Sequence, residues 1–102
     1  MDLKSIEQTL ATFSEKRDWD QFHSPKNLAI ALSVEASELL EIFQWLTEEQ
    51  SQNLNKEQMR HTEEEIADIA IYTLNLCRKL NIDLEKAVLN KIESNAIKYP
   101  EK

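Results

Sequence analysis

Two acidic pairs recur at helical spacing in this chain, Glu35 with Glu38 and Glu65 with Asp68. Residues three apart on a helix share a face, so each pair presents two carboxylates side by side. Two such helices packed antiparallel would bring four carboxylates together. Hard oxygen donors in that number suit one or more Mg²⁺ ions, which keep part of their water shell and bridge to phosphate oxygens. In so glutamate-rich a chain an isolated E-x-x-[ED] pair is ordinarily a solvated helix face, and Glu41, Glu63 and Glu64 are read that way. Glu35 differs by position. At about 100° per residue, Leu28, Leu32, Leu39, Phe43 and Leu46 form one stripe, with Glu35 near its centre and Glu38 at its edge. A carboxylate there needs a cation, a pairing base or a raised pKa, since burying its charge alone is too costly. A metal ligand and an interior ion pair both satisfy that requirement. A di-iron bundle is disfavoured because it expects Glu-x-x-His pairs, and His23 and His61 complete neither pair.

The elements that must position these acids are helices. The chain has no glycine and two prolines, so turns needing positive φ are scarce and long helices are the default. The spacing of Leu3, Ile6, Leu10 and Phe13 predicts a first helix from about Leu3 to Lys16, ending near RDWDQFH. Ser24-Pro25 is a cap followed by a proline suited to the first helical position, opening a helix to about Trp45. Asn55 with Gln58 caps a third, running to about Leu80, with Ile66, Ile69, Ala70, Leu74, Cys77 and Leu80 as its apolar stripe. Asp83 caps a fourth, LEKAVLNKIESNAIK, which stops before Pro100. The expected architecture is an all-α four-helix bundle, with residues 1–102 forming a single domain. A core this small would gain from oligomerisation.

Composition narrows the partners. Twelve Lys and Arg against 19 Asp and Glu give a net charge of −7, which disfavours binding to a nucleic-acid polymer. Leu28 to Leu32 is the longest apolar run and is far too short to span a bilayer, and MDLKSIEQTLATF lacks a signal-peptide core. With a single cysteine, Cys77, in an apolar pattern, a cytoplasmic protein without membrane contact is expected.

Three further strings are more specific than the acidic pairs: RDW-x-QFH at 17–23, FQW at 43–45 and K-x-x-x-N-x-x-x-YP at 91–100. With EEEIADIAIY they resemble the MazG-like nucleotide pyrophosphohydrolases, most closely the dCTP pyrophosphatase branch, over about Phe13 to Pro100. The resemblance implies an all-α enzyme, a dimer or dimer of dimers, that uses Mg²⁺ to cleave a nucleoside triphosphate into monophosphate and pyrophosphate. It implies Glu35, Glu38, Glu65 and Asp68 as metal ligands, with one of them serving the attacking water. It further implies Lys91 and Asn95 as phosphate contacts, with Lys98 and Tyr99 supporting the same end. Trp19, Trp45 and Tyr72 would line the nucleobase pocket, although a tryptophan at a helix end is as readily a core plug. Phe22, His23, Lys26 and Asn27 are secondary substrate candidates, and His23 is equally suited to the turn before Ser24.

One departure bears on substrate choice. In the dCTP branch a histidine commonly precedes the RDW tryptophan by nine residues, where this chain has Leu10. The connection TEEQSQNL also lacks the glycine and proline of longer relatives, which suggests a minimal version. The resemblance thus implies pool cleansing of dCTP, a modified cytosine nucleotide, dUTP or a damaged nucleotide. The reading from another class is a non-catalytic acidic helical interaction module, its acids keeping it in solution and its aromatics forming an interface.

Overall fold

The capping signals set the helix boundaries almost residue for residue. In the computed structural model, which describes residues 1–101, Asp2 accepts from the Ser5 N–H at the start of α1 (Leu3–Lys16). Ser24 accepts from Asn27 and Pro25 takes the first position of α2 (Pro25–Phe43), which ends two residues before Trp45. Thr47 and Gln50 close a reciprocal capping box around a single turn, α3 (Glu48–Ser51). Asn55 and Gln58 repeat the device at α4 (Lys56–Leu80), and Asp83 caps α5 (Leu84–Lys98). Among the described residues there is no strand.

The all-α expectation therefore holds, with five helices rather than four. A one-turn helix is too short to show a hydrophobic period, so only its T-x-x-Q capping box could have revealed α3. The chain also forms a 3₁₀ turn at Asp20–Phe22 within RDWDQFH. Without glycine, the two left-handed positions fall to Asp18 (φ 54°) and Asn81 (φ 56°), residue types that tolerate that region better than most. Asn81 ends α4 and its N–H returns to the Cys77 carbonyl.

Packing centres on α2 against α4, with α1 laid on α4. Glu38, Glu41 and Ile42 near the end of α2 share a cleft with His61, Glu64 and Glu65, while His23 just before α2 lies with Tyr72 and Asn75, so the pair is antiparallel. Leu28 is 1% exposed, and Leu74 and Cys77 are buried beside it in the sequence of core positions. The α4 stripe is corrected by the structure: Ile66, Ala70 and Leu80 are exposed, whereas Thr62 and Asn75 are buried and Glu65, Asp68 and Tyr72 are half-buried. α4 thus turns a polar seam inward together with Leu74 and Cys77 and leaves Ile66, Ala70 and Leu80 on the outside.

The radius of gyration is 16.5 Å, against about 13 Å for a compact chain of this length. The excess comes with α5, which packs only sparsely on the other helices and has every residue after Leu84 exposed. Val88, Leu89, Ile92 and Ile97 on α5, Ile30, Val34 and Leu40 on α2, and Ile66 on α4 all lie open.

Candidate functional site

The antiparallel register brings the acids together. Glu35, Glu38 and Glu65 each place a carboxylate oxygen within 4.8 Å of the other two. Glu35 Oε2 and Glu65 Oε2 are buried without any hydrogen-bond partner. Two buried acceptors with unfilled lone pairs, beside a third carboxylate open to solvent, are a donor set that fits a hard divalent cation. The carboxyl of Glu35 is raised from the ordinary 4.5 to about 7. The nearby Glu65 carboxylate favours the protonated acid, which alone could share a hydrogen with it, burial penalises the charge, and Glu38 acts in the same way and adds repulsion.

Asp68, the fourth candidate ligand, stands one turn further along α4 and lines a neighbouring apolar pocket instead of joining the 4.8 Å group. On the other side of the acids lies a cleft of about 360 Å³, which adds Glu41, His61 and Glu64 to the walls. These residues read as solvated surface, because which glutamates face a cleft depends on the packing partner. Arg60 pairs with Glu64 at 2.9 Å along the same rim.

The pocket beside Asp68, about 220 Å³, is framed by Leu10, Phe13 and Ser14 of α1, by Trp19 and His23 of the turn, and by Ile71, Tyr72 and Asn75 of α4. Its aromatic wall is braced as a stack. Arg17 donates to the Phe13 carbonyl and lies 3.5 Å over the Phe13 ring, which meets Trp19 edge-on at 5.5 Å. Trp19 in turn meets His23 at 6.3 Å. A planar, partly polar ligand suits such walls. Burial holds the His23 imidazole below its ordinary pKa, with Asp20 opposing and Arg78 and Lys79 reinforcing, and its Nδ1 is buried with no partner.

The turn is clamped to α4 by residues that the motifs did not single out. Asp20 Oδ1 receives Arg78 Nη2 at 3.3 Å and lies 3.4 Å from Lys79 Nζ. Burial alone would raise the Asp20 carboxyl, but the two cations hold it below its ordinary value. Asn75 was missed as well. Its spacing from Asp68 and Tyr72, seven and three residues, puts all three on one helical face and was the available signal.

The remaining candidates divide by location. Asn27 braces the turn, its amide donating to the Phe22 carbonyl at 3.0 Å, while Phe22 and Lys26 are exposed. Trp45 is 86% exposed beyond the end of α2. Because the helices are antiparallel, it lies toward the His61 end, whereas Trp19 lies at the Asn75 end, a separation of roughly 20 Å along the helix axis. Lys91, Asn95, Lys98 and Tyr99 are exposed on or just beyond α5, with Lys98 Nζ 5.3 Å from the Tyr99 ring. One chain thus assembles the acids with Trp19, His23 and Tyr72, but does not bring Trp45 or the α5 residues to them.

A helical pair presenting inward acids next to an aromatic pocket is an all-α arrangement that can hold a divalent cation beside a planar ligand. The MazG-like family model matches residues 30–102, and the chain belongs to that family. It is 40% identical over 100 residues to dCTP pyrophosphatase 1 of Bos taurus and 39% identical to that of Homo sapiens, in each case over 96% of this chain and 59% of the relative. The chain thus spans about three fifths of the length of these curated relatives. A pyrophosphatase from Archaeoglobus fulgidus superposes with a TM-score of 0.91 at 40% identity, over 96% of this chain and 92% of that one.

Proposed function

We propose that this chain is a Mg²⁺-dependent nucleoside triphosphate pyrophosphohydrolase acting on dCTP or a modified cytosine nucleotide in the cytoplasm. The observation that carries the reading is the Glu35, Glu38 and Glu65 group, with its unfilled buried acceptors, set against the pocket of Trp19 and Tyr72 through Asp68. The relatives named dCTP pyrophosphatase supply the choice of base. Among the described residues no helix is long and apolar enough to cross a membrane.

Glu35, Glu38, Glu65 and Asp68 would hold the metal. Bound there, Mg²⁺ would supply charge neutralisation for the phosphate oxygens and acidify a water for in-line attack. Trp19 and Tyr72 hold the base, and one of the four carboxylates takes the proton as water adds across the α–β phosphoanhydride. Monophosphate and pyrophosphate leave. Lys91 and Asn95 serve the phosphates from α5 once a second copy covers the exposed faces, and Trp45 reaches a base pocket by the same route. The working form is therefore a homodimer or homotetramer. An acidic interaction module would have no reason to bury Glu35 Oε2 and Glu65 Oε2 without partners.

The test is pyrophosphate release from a panel of canonical and modified dNTPs and NTPs, with Mg²⁺ or chelator, beside Glu38→Gln. Metal-dependent release that the variant loses, at unchanged helicity, is expected. Near-full activity in the variant would sink the metal assignment, and the panel separates dCTP from dUTP or damaged nucleotides.

A further inference from the structure

The pocket between α1, the 3₁₀ turn and α4 holds a polar group that the family motifs leave without a role. Asn75 is 4% exposed, yet it lines the pocket together with Trp19 and Tyr72. Its Oδ1 accepts from Arg78 Nη2 at 3.3 Å. Arginine only donates, so this contact sets the orientation of the carboxamide: the oxygen belongs to Arg78 and Nδ2 is the free end. Among the described residues no acceptor receives Nδ2. The residue is buried but this free amide end is still reached by water, so it is open to a ligand that enters the pocket. Arg78 is itself held by Asp20, which ties the amide to the turn that carries Trp19.

The opposite wall sharpens the assignment. Leu10 faces the same pocket from α1 and can neither donate nor accept. Polar recognition of a bound base therefore has to come from the Ser14 hydroxyl, the turn and α4.

We propose that Asn75 determines base specificity, donating from Nδ2 to the O2 and N3 acceptor edge of a cytosine-type base held by Trp19 and Tyr72. The inference rests on the nucleotide reading above. The shape of the site follows from it: Arg78 orients Asn75, Asn75 reads the base edge, and the aromatic rings hold the plane of the base. Uracil offers O2 but carries a hydrogen at N3, so the same donor meets it less well.

The decisive experiment is a cycle of wild type and Asn75→Asp against dCTP, its analogue lacking the 2-oxo group, and its 3-deaza analogue, with Mg²⁺ at pH 8. Asn75→Asp keeps the shape and the contact to Arg78 while replacing the donor by an acceptor. Wild type should lose about 10–100-fold in kcat/KM, mainly through KM, on at least one analogue. The variant should show a comparable loss on dCTP and no further loss on that analogue. Wild type using both analogues as well as dCTP would overturn the proposal, and so would equal losses by the variant on all three, which mark a packing role. The wild-type arm can overturn the proposal even if the variant does not fold. Should wild type release pyrophosphate from no nucleotide, the hydrolysis reading falls. The same cycle, read as Kd for α,β-imido nucleotides by calorimetry, then decides Asn75 separately, and absence of coupling overturns it.

Discussion

Glu35→Gln should make the metal-free protein more stable while removing its response to Mg²⁺. The wild-type carboxyl lies at about 7 in the folded chain against 4.5 ordinarily, because Glu65, burial and Glu38 all oppose its charge. At about 1.4 kcal/mol per pH unit, ionising it above pH 7 costs the folded state up to about 3 kcal/mol. Water reaching the half-exposed group screens this to about 1–2 kcal/mol. The sign follows from linkage. Between about pH 4.5 and 7 the folded state holds more protons than the unfolded state, so stability falls as pH rises through that window. Glutamine cannot ionise and escapes the loss. In chelator at pH 8 the variant should melt about 5–10 °C above wild type, and at pH 5, where Glu35 already carries its proton, the gap should close. Saturating Mg²⁺ should raise the wild-type melting temperature and leave the variant nearly unmoved, by binding linkage. Circular-dichroism melts at the two pH values read all of this. A variant no more stable than wild type at pH 8, or a gap equally large at pH 5, would refute the carboxylate coupling.

Other substitutions probe the scaffold. Asn81→Ala removes the short polar side chain that makes the left-handed cap of α4 tolerable and should cost about 1 kcal/mol in denaturant melts, whereas Asn81→Gly, which has no β-carbon, should leave stability equal or higher. Leu28→Ala, at the most buried position, should destabilise by about 2–5 kcal/mol, and a cost below 1 kcal/mol would mean the α2–α4 seam is not the core. Ile92→Glu, on the uncovered face of α5, should shift the mass in solution toward the monomer by light scattering and lower turnover with it. An unchanged assembly would remove α5 from the interface.

How much of this was legible in the sequence depends on the range of the interaction. Caps act over three residues, so Ser24, Asn55 and Asp83 announced α2, α4 and α5 close to their true starts, while the apolar spacing from Leu3 announced α1. The acidic pairs were visible for the same reason, since i and i+3 share a helical face whatever the helix packs against. The resemblance of the motif strings then pointed to the family and to Trp19 and Tyr72. What one strand of text could not supply was the partner of each face. The polar seam of α4, the displacement of Asp68 toward the aromatic pocket, and the entry of Glu41, His61 and Glu64 into the cleft all follow from the antiparallel register of α2 on α4. Asn75 and the Asp20 clamp on Arg78 and Lys79 were hidden for a related reason: residues 20 and 78 lie 58 positions apart and meet only when the turn folds back on α4. The sequence by itself determined the helices and the chemistry they carry. Tertiary packing decided which carboxylates share one space, because burial and charge repulsion are properties of neighbours that only the fold brings together.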